Sequence, residues 1–132
     1  MPGHELALEM IAAAKSDLKA LKHMLDPDAF DDRVFGFHAQ QAIEKALKAW
    51  LCCLGVEYPL THDLASLLAL LQSKAQDVNE FWSLIEYGPF AVEFRYDEVS
   101  SEEEPLDRGL AAQRIDALLG QVAKLLDSRA QS

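Results

Sequence analysis

Apolar residues return every three or four positions along most of this chain, and turn-forming residues cut that period into blocks. Between residues 5 and 25, Ala7, Ile11, Ala14, Leu18, Leu21 and Leu25 share one helical face, with Lys15, Lys19, Lys22 and His23 elsewhere on the wheel. Asp26-Pro27-Asp28 ends this first helix, because proline cannot continue a helix and disfavours helical geometry in the residue before it. A second helix starts near Asp31 or Asp32, either of which can cap it, and stops at Gly55. It is apolar around most of its circumference, as a helix at the centre of a bundle must be. One narrow polar line crosses it, made by His38, Gln41, Lys45 and Lys48. Glu44 and Lys48 stand four apart in the favourable order.

After the connector Tyr58-Pro59-Leu60, Thr61 is placed to cap a third helix, with Asp63 in its first turn. Leu64, Leu67, Leu68 and Leu71 form its apolar face. Beyond a polar break at 73–77, Val78, Phe81, Trp82 and Ile85 keep the helical spacing, as one kinked helix or two, up to Gly88-Pro89. Phe90, Val92, Phe94 and Tyr96 then alternate with period two. A lone strand has no partner in this chain, so the segment reads as extended chain laid against the bundle; a connection of this length is often functional. Pro105 fits the first turn of a last helix, whose buried stripe is Ala111, Ile115, Leu118, Val122 and Leu125. The sum is one all-α domain over residues 1–132, an up-and-down bundle of four to five helices.

Composition narrows the function classes. With 132 residues, half of them hydrophobic, the chain can bury a real core. It opens without the basic and apolar run of a signal peptide, and its most apolar window, 46–56, is too short to span a bilayer. A soluble, cytoplasmic protein without membrane contact is expected. The neighbours Cys52 and Cys53 cannot bridge each other in helical geometry, and no Cys/His set has zinc spacing. They read as small core residues, and neither metal nor cofactor is expected. The formal charge of -10 argues against a generic binder of DNA or other nucleic acid. The acid is concentrated, however, at Asp26, Asp28, Asp31 and Asp32 and again from Asp97 to Asp107, which leaves room for a local basic patch.

Three stretches carry a resemblance. Phe37-His38-Ala39-Gln40-Gln41-Ala42-Ile43-Glu44-Lys45-Ala46-Leu47-Lys48-Ala49 resembles the signature helix of the HEPN domain family. Thr61-His62-Asp63-Leu64 resembles that family's next landmark, and Arg95-Tyr96 looks like its third. The resemblance implies a HEPN-like bundle, commonly a homodimer, of the prokaryotic stand-alone kind often paired with a minimal nucleotidyltransferase in a toxin–antitoxin-like system. Many members of the family are metal-independent endoribonucleases. Their motif is an Arg, four to six residues, then a His, at the junction of the later helices.

That motif is missing from its expected place, since no histidine follows Arg95 and the last one in the chain is His62. A literal match lies upstream, at Arg33 and His38. Five residues of helix are roughly 500°, which aims these two side chains about 140° apart. Without a histidine, Arg95-Tyr96-Asp97 offers no evident acid or base for a 2′-hydroxyl. Arg95 can grip a phosphate in bidentate fashion and Tyr96 can stack; equally, Arg95 can tie down its acidic loop. Gln41, Lys45 and Lys48 fit a nucleotide or RNA phosphate, and equally a solvated stripe or an inter-subunit salt bridge. His62 is a further candidate for that nucleotide or RNA, though as a helix-start residue it reads more readily as a histidine bonded to nearby backbone than as a catalyst. The resulting expectation is an accessory protein linked to a nucleotide or RNA, with two rivals: an endoribonuclease toxin using a displaced or degenerate site, and a purely structural dimerisation module.

Overall fold

A computed structural model describes residues 2–93 and 105–130. Among them it contains five α-helices, one 3₁₀ segment and no strand: α1 (Pro2–Lys22), α2 (Asp32–Cys53), α3 (Leu64–Ser73), the 3₁₀ segment Asn79–Tyr87, α4 (Phe90–Glu93) and α5 (Arg108–Ala130). The helix α2 is the axle. It packs against α1 along its length, against α5, and on its remaining sides against α3, the 3₁₀ segment and α4. Fifteen of its 22 residues are buried, among them Trp50, Ile43, Leu47 and Leu51. The expected stripes of α1 and α5 face this axle: Ala7, Ile11, Ala14, Leu18 and Leu21 from one side, Ala111, Ile115, Leu118 and Val122 from the other, all 6% exposed or less, while Leu126 and not the half-buried Leu125 completes the α5 stripe. Cys52 and Cys53 are buried beside them and not in a disulfide, and desolvation raises the Cys52 pKa.

The helix ends follow local chemistry. Asp31 caps α2 by accepting from the Val34 N–H at 3.0 Å, and that bond is the largest cause of its lowered pKa. At the other end the N–H of Val56 reaches the Leu51 carbonyl and that of Gly55 reaches Cys52, each at 3.0 Å. This paired closure needs a left-handed residue, and Gly55 supplies it at φ 72°.

Four expectations need correction. The first helix ends at Lys22, before the proline, so that Leu25 lies beyond it and is 48% exposed. The carbonyl of Met24, just past that end, accepts instead from Arg108. Asp63, not Thr61, caps α3, because a carboxylate can take both the Ala65 N–H and the Ser66 hydroxyl; the Thr61 hydroxyl accepts from the Asp63 N–H. Phe90 begins a short helix rather than an extended run, and its ring covers Gly36 so closely that a Cβ there would stand 2.3 Å from it. Pro105 precedes α5, whose start is fixed by Asp107 accepting from the Leu110 N–H at 3.0 Å.

Candidate functional site

The polar line on α2 divides into two systems that lean to opposite sides of the helix. On one edge, Asp17 of α1 binds both His38 and Lys45: its two oxygens lie 3.2 Å from His38 Nδ1 and 2.8 Å from Lys45 Nζ. On the other edge, Gln40, Glu44 and Lys48 stand at successive spacings of four and converge, one helical turn apart. Glu44 is buried and is the hub. Its Oε2 accepts from Lys48 Nζ at 2.9 Å, and its Oε1 accepts from Gln40 Nε2 at 2.8 Å. His62, at the start of α3, places Nδ1 2.8 Å from the same Oε1. Gln40 spends its second N–H on the His62 carbonyl at 3.4 Å, and its own side-chain oxygen accepts from Gln41 at 2.8 Å. Lys48 is also buried, its ammonium 5.2 Å from the centre of the Tyr58 ring.

Burial alone would raise the pKa of Glu44. The hydrogen bonds from Lys48, Gln40 and His62, with the charge of Lys48, outweigh that and leave it below the ordinary value. An ionised carboxylate only accepts, so the proton facing Glu44 sits on His62 Nδ1. In the neutral imidazole Nε2 then carries the lone pair, and it lies on the far side of a side chain that is 71% exposed. His62 also lines a pocket of about 350 Å³, with Asp63, Leu64 and Ala65 on its own side and Ile85, Gly88, Pro89 and Ala91 on the other. The arrangement is a histidine oriented by a buried carboxylate, able to accept a proton or, when charged, to bind a phosphate. The expected role for His62, a ring bonded to nearby backbone, is thus replaced by a side-chain bond across to α2.

The remaining candidates are not gathered here. Arg33 pairs with Asp31 at 3.4 Å, while His38 turns to Asp17 on α1. Arg95 and Tyr96 lie outside the described residues. The sequence reading passed over Gln40, although its spacing of four from Glu44 was a legible signal. It also passed over Arg108, a buried side chain that donates to the carbonyls of Met24 (2.7 Å), Asp26 (3.3 Å) and Phe30 (2.6 Å) and to Asp32 (2.9 Å).

Among the described residues no group of three or more His, Cys, Asp or Glu side chains could hold a metal ion, and no helix is long and apolar enough to cross a membrane. Residues 7–127 match the model of the HEPN domain family. No curated protein and no solved structure matches the chain. The family match spans nearly the whole sequence and includes α2 and the start of α3, the two elements that build the Glu44–His62 pair. The chain belongs to the HEPN domain family.

Proposed function

We propose that this HEPN protein is a nucleotide- or RNA-linked accessory that works as a homodimer beside a minimal nucleotidyltransferase, in a toxin–antitoxin-like pair. One observation carries the ligand part of the reading: His62 is held on buried Glu44 through Nδ1, is largely exposed, and lines a pocket. A charged imidazole suits a phosphate, and Gln41, Lys45 and Lys48 of α2 belong to the same proposal. Arg95 and Tyr96 belong to the same proposal as phosphate grip and stacking platform. The nucleotidyltransferase partner and the homodimer rest on the family resemblance.

A second reading has an observation of its own. His38 is oriented by Asp17 much as His62 is by Glu44, and Arg33 stands five residues before it, so an endoribonuclease with a displaced site is the rival. One preparation tests both. Calorimetry with ATP, GTP and a short single-stranded RNA is expected to show binding that His62→Ala abolishes and Arg95→Ala weakens. No binding by the unaltered chain, or binding indifferent to both substitutions, overturns the accessory reading. RNA cleavage that disappears in Arg33→Ala or His38→Ala establishes the rival; cleavage by neither the protein nor its variants dismisses it.

A further inference from the structure

A second feature of the molecule lies away from the His62 site and is independent of the reading above. The helices α1 and α5 leave a groove of about 440 Å³ between them. Lys15, Lys19 and Lys22 line its α1 side at spacings of four and three, one stripe of roughly 10 Å along the helix. All three are exposed, and among the described residues none of them is ion-paired, whereas Lys45 and Lys48 are. On the α5 side the groove has a single carboxylate, Asp116. A net positive trough in a chain of formal charge -10 is a local reversal of the molecule's field.

The α5 wall has a second peculiarity. Gly120 sits in the interior of that helix, where glycine costs stability relative to alanine. Nothing in the fold demands it: a Cβ at Gly120 would meet no atom within 4 Å, and its backbone is helical. The missing side chain keeps open the stretch of the groove that faces the lysines, over a floor of Leu18 and Leu119.

From the charge and the open wall we infer that this groove docks an acidic helix of a partner protein, one that presents carboxylates at i, i+4 and i+7 with small apolar residues between them. That spacing matches the lysine stripe, and the lysine stems and leucine floor suit the apolar residues. A second copy of this chain is a poorer occupant, because a two-fold contact would set one positive trough against the other. A nucleic-acid strand is also poorer, because it must carry its whole charge into the field of an acidic molecule.

The test uses the full-length protein and a fluorescein-labelled helical peptide with glutamates at that spacing separated by alanine and leucine. Fluorescence polarisation is expected to show saturable, salt-sensitive binding. Binding should vanish in the variant carrying Lys15→Glu, Lys19→Glu and Lys22→Glu. It should weaken by at least about tenfold in Gly120→Leu, which fills the groove while leaving the thermal midpoint unchanged or higher. No binding, equal binding of a scrambled peptide of the same charge, or binding that survives both variants overturns the proposal. So does either alternative occupant: RNA binding lost with the lysines while the peptide does not bind, or a dimer in sedimentation that the Lys→Glu variant dissolves.

Discussion

Two buried charges in this bundle are each satisfied, and in opposite ways. Arg108 meets backbone carbonyls of the α1–α2 connection together with Asp32, partners 76 to 84 residues away, and its own side chain is 5% exposed. The bonds donated by its two terminal nitrogens all go to groups whose position the fold needs fixed. Its guanidinium also lies 5.2 Å from the centre of the Phe35 ring, which packs it from the side. Glu44 is equally enclosed, but its partners are side chains, and one of them, His62, is 71% exposed. A charge bound to carbonyls serves the architecture. A charge whose chain of bonds reaches water through a histidine has something left to offer a ligand. The contrast separates the structural residue from the candidate site more sharply than burial does, since burial treats the two alike.

The strongest way to break the comparison is at Arg108. Replacing it with alanine strands the carbonyls of Met24 and Phe30 and leaves Asp32 without its cation. The expected loss is about 3–5 kcal/mol of unfolding free energy, read from urea denaturation followed by circular dichroism. Arg108→Lys should recover little, because one ammonium cannot span what two guanidinium nitrogens reach. A loss under about 1 kcal/mol for Arg108→Ala would mean that the connection is held by something else.

Helical periodicity found the faces of α1, α2, α3 and α5, and local chemistry narrowed the α2 cap to Asp31 or Asp32 and found Gly55 as a stop, because each of those signals lies within a few residues of its effect. Arg108 acts through backbone carbonyls distant in sequence, and a carbonyl has no letter in the sequence to announce it. Asp63 and Thr61 are both plausible caps two residues apart, and only geometry chose between them. Alternating aromatics suggested an extended chain at Phe90, yet the first turn after Pro89 is helical because its ring has Gly36 to cover. At the site itself, the Glu44–Lys48 bond was legible from spacing. The bond to His62, 18 residues on and just ahead of another helix, was not.

A middle-sized effect is expected at the hub. Glu44→Gln leaves Lys48 buried without its carboxylate, at a cost of about 2–4 kcal/mol. Lys48→Met strands the carboxylate less completely, since Gln40 and His62 still donate to it. The double variant should lose less than the two single losses added together, with a coupling of about 1–2 kcal/mol in a double-mutant cycle. Acid sharpens the point. Because the folded pKa of Glu44 lies below its ordinary 4.5, its contribution is fully present above that value and fades as pH falls through the lower folded one. Asp31, also lowered, fades in the same direction. Comparing acid denaturation of the unaltered chain with Glu44→Gln should therefore remove part of the slope and leave the rest. Identical slopes would sink the assignment of Glu44 as an ionised hub.

The smallest effect on stability is expected where the largest effect on binding is. In His62→Ala, Glu44 keeps its bonds from Gln40 and Lys48, and the lost ring was mostly in water already. Unfolding free energy should move by no more than about 0.5 kcal/mol. The protein would then fold as before and yet fail to take up nucleotide or RNA in calorimetry. His62→Gln distinguishes the two duties of the ring: its amide can still donate to Glu44, but it has no second ring nitrogen to turn outward. If His62→Gln binds as the unaltered protein does, the outward ring nitrogen does not matter and the histidine is only a spacer held on Glu44. If His62→Ala instead unfolds as readily as Arg108→Ala, the two clusters are of one kind, both structural, and the difference on which the site was chosen disappears.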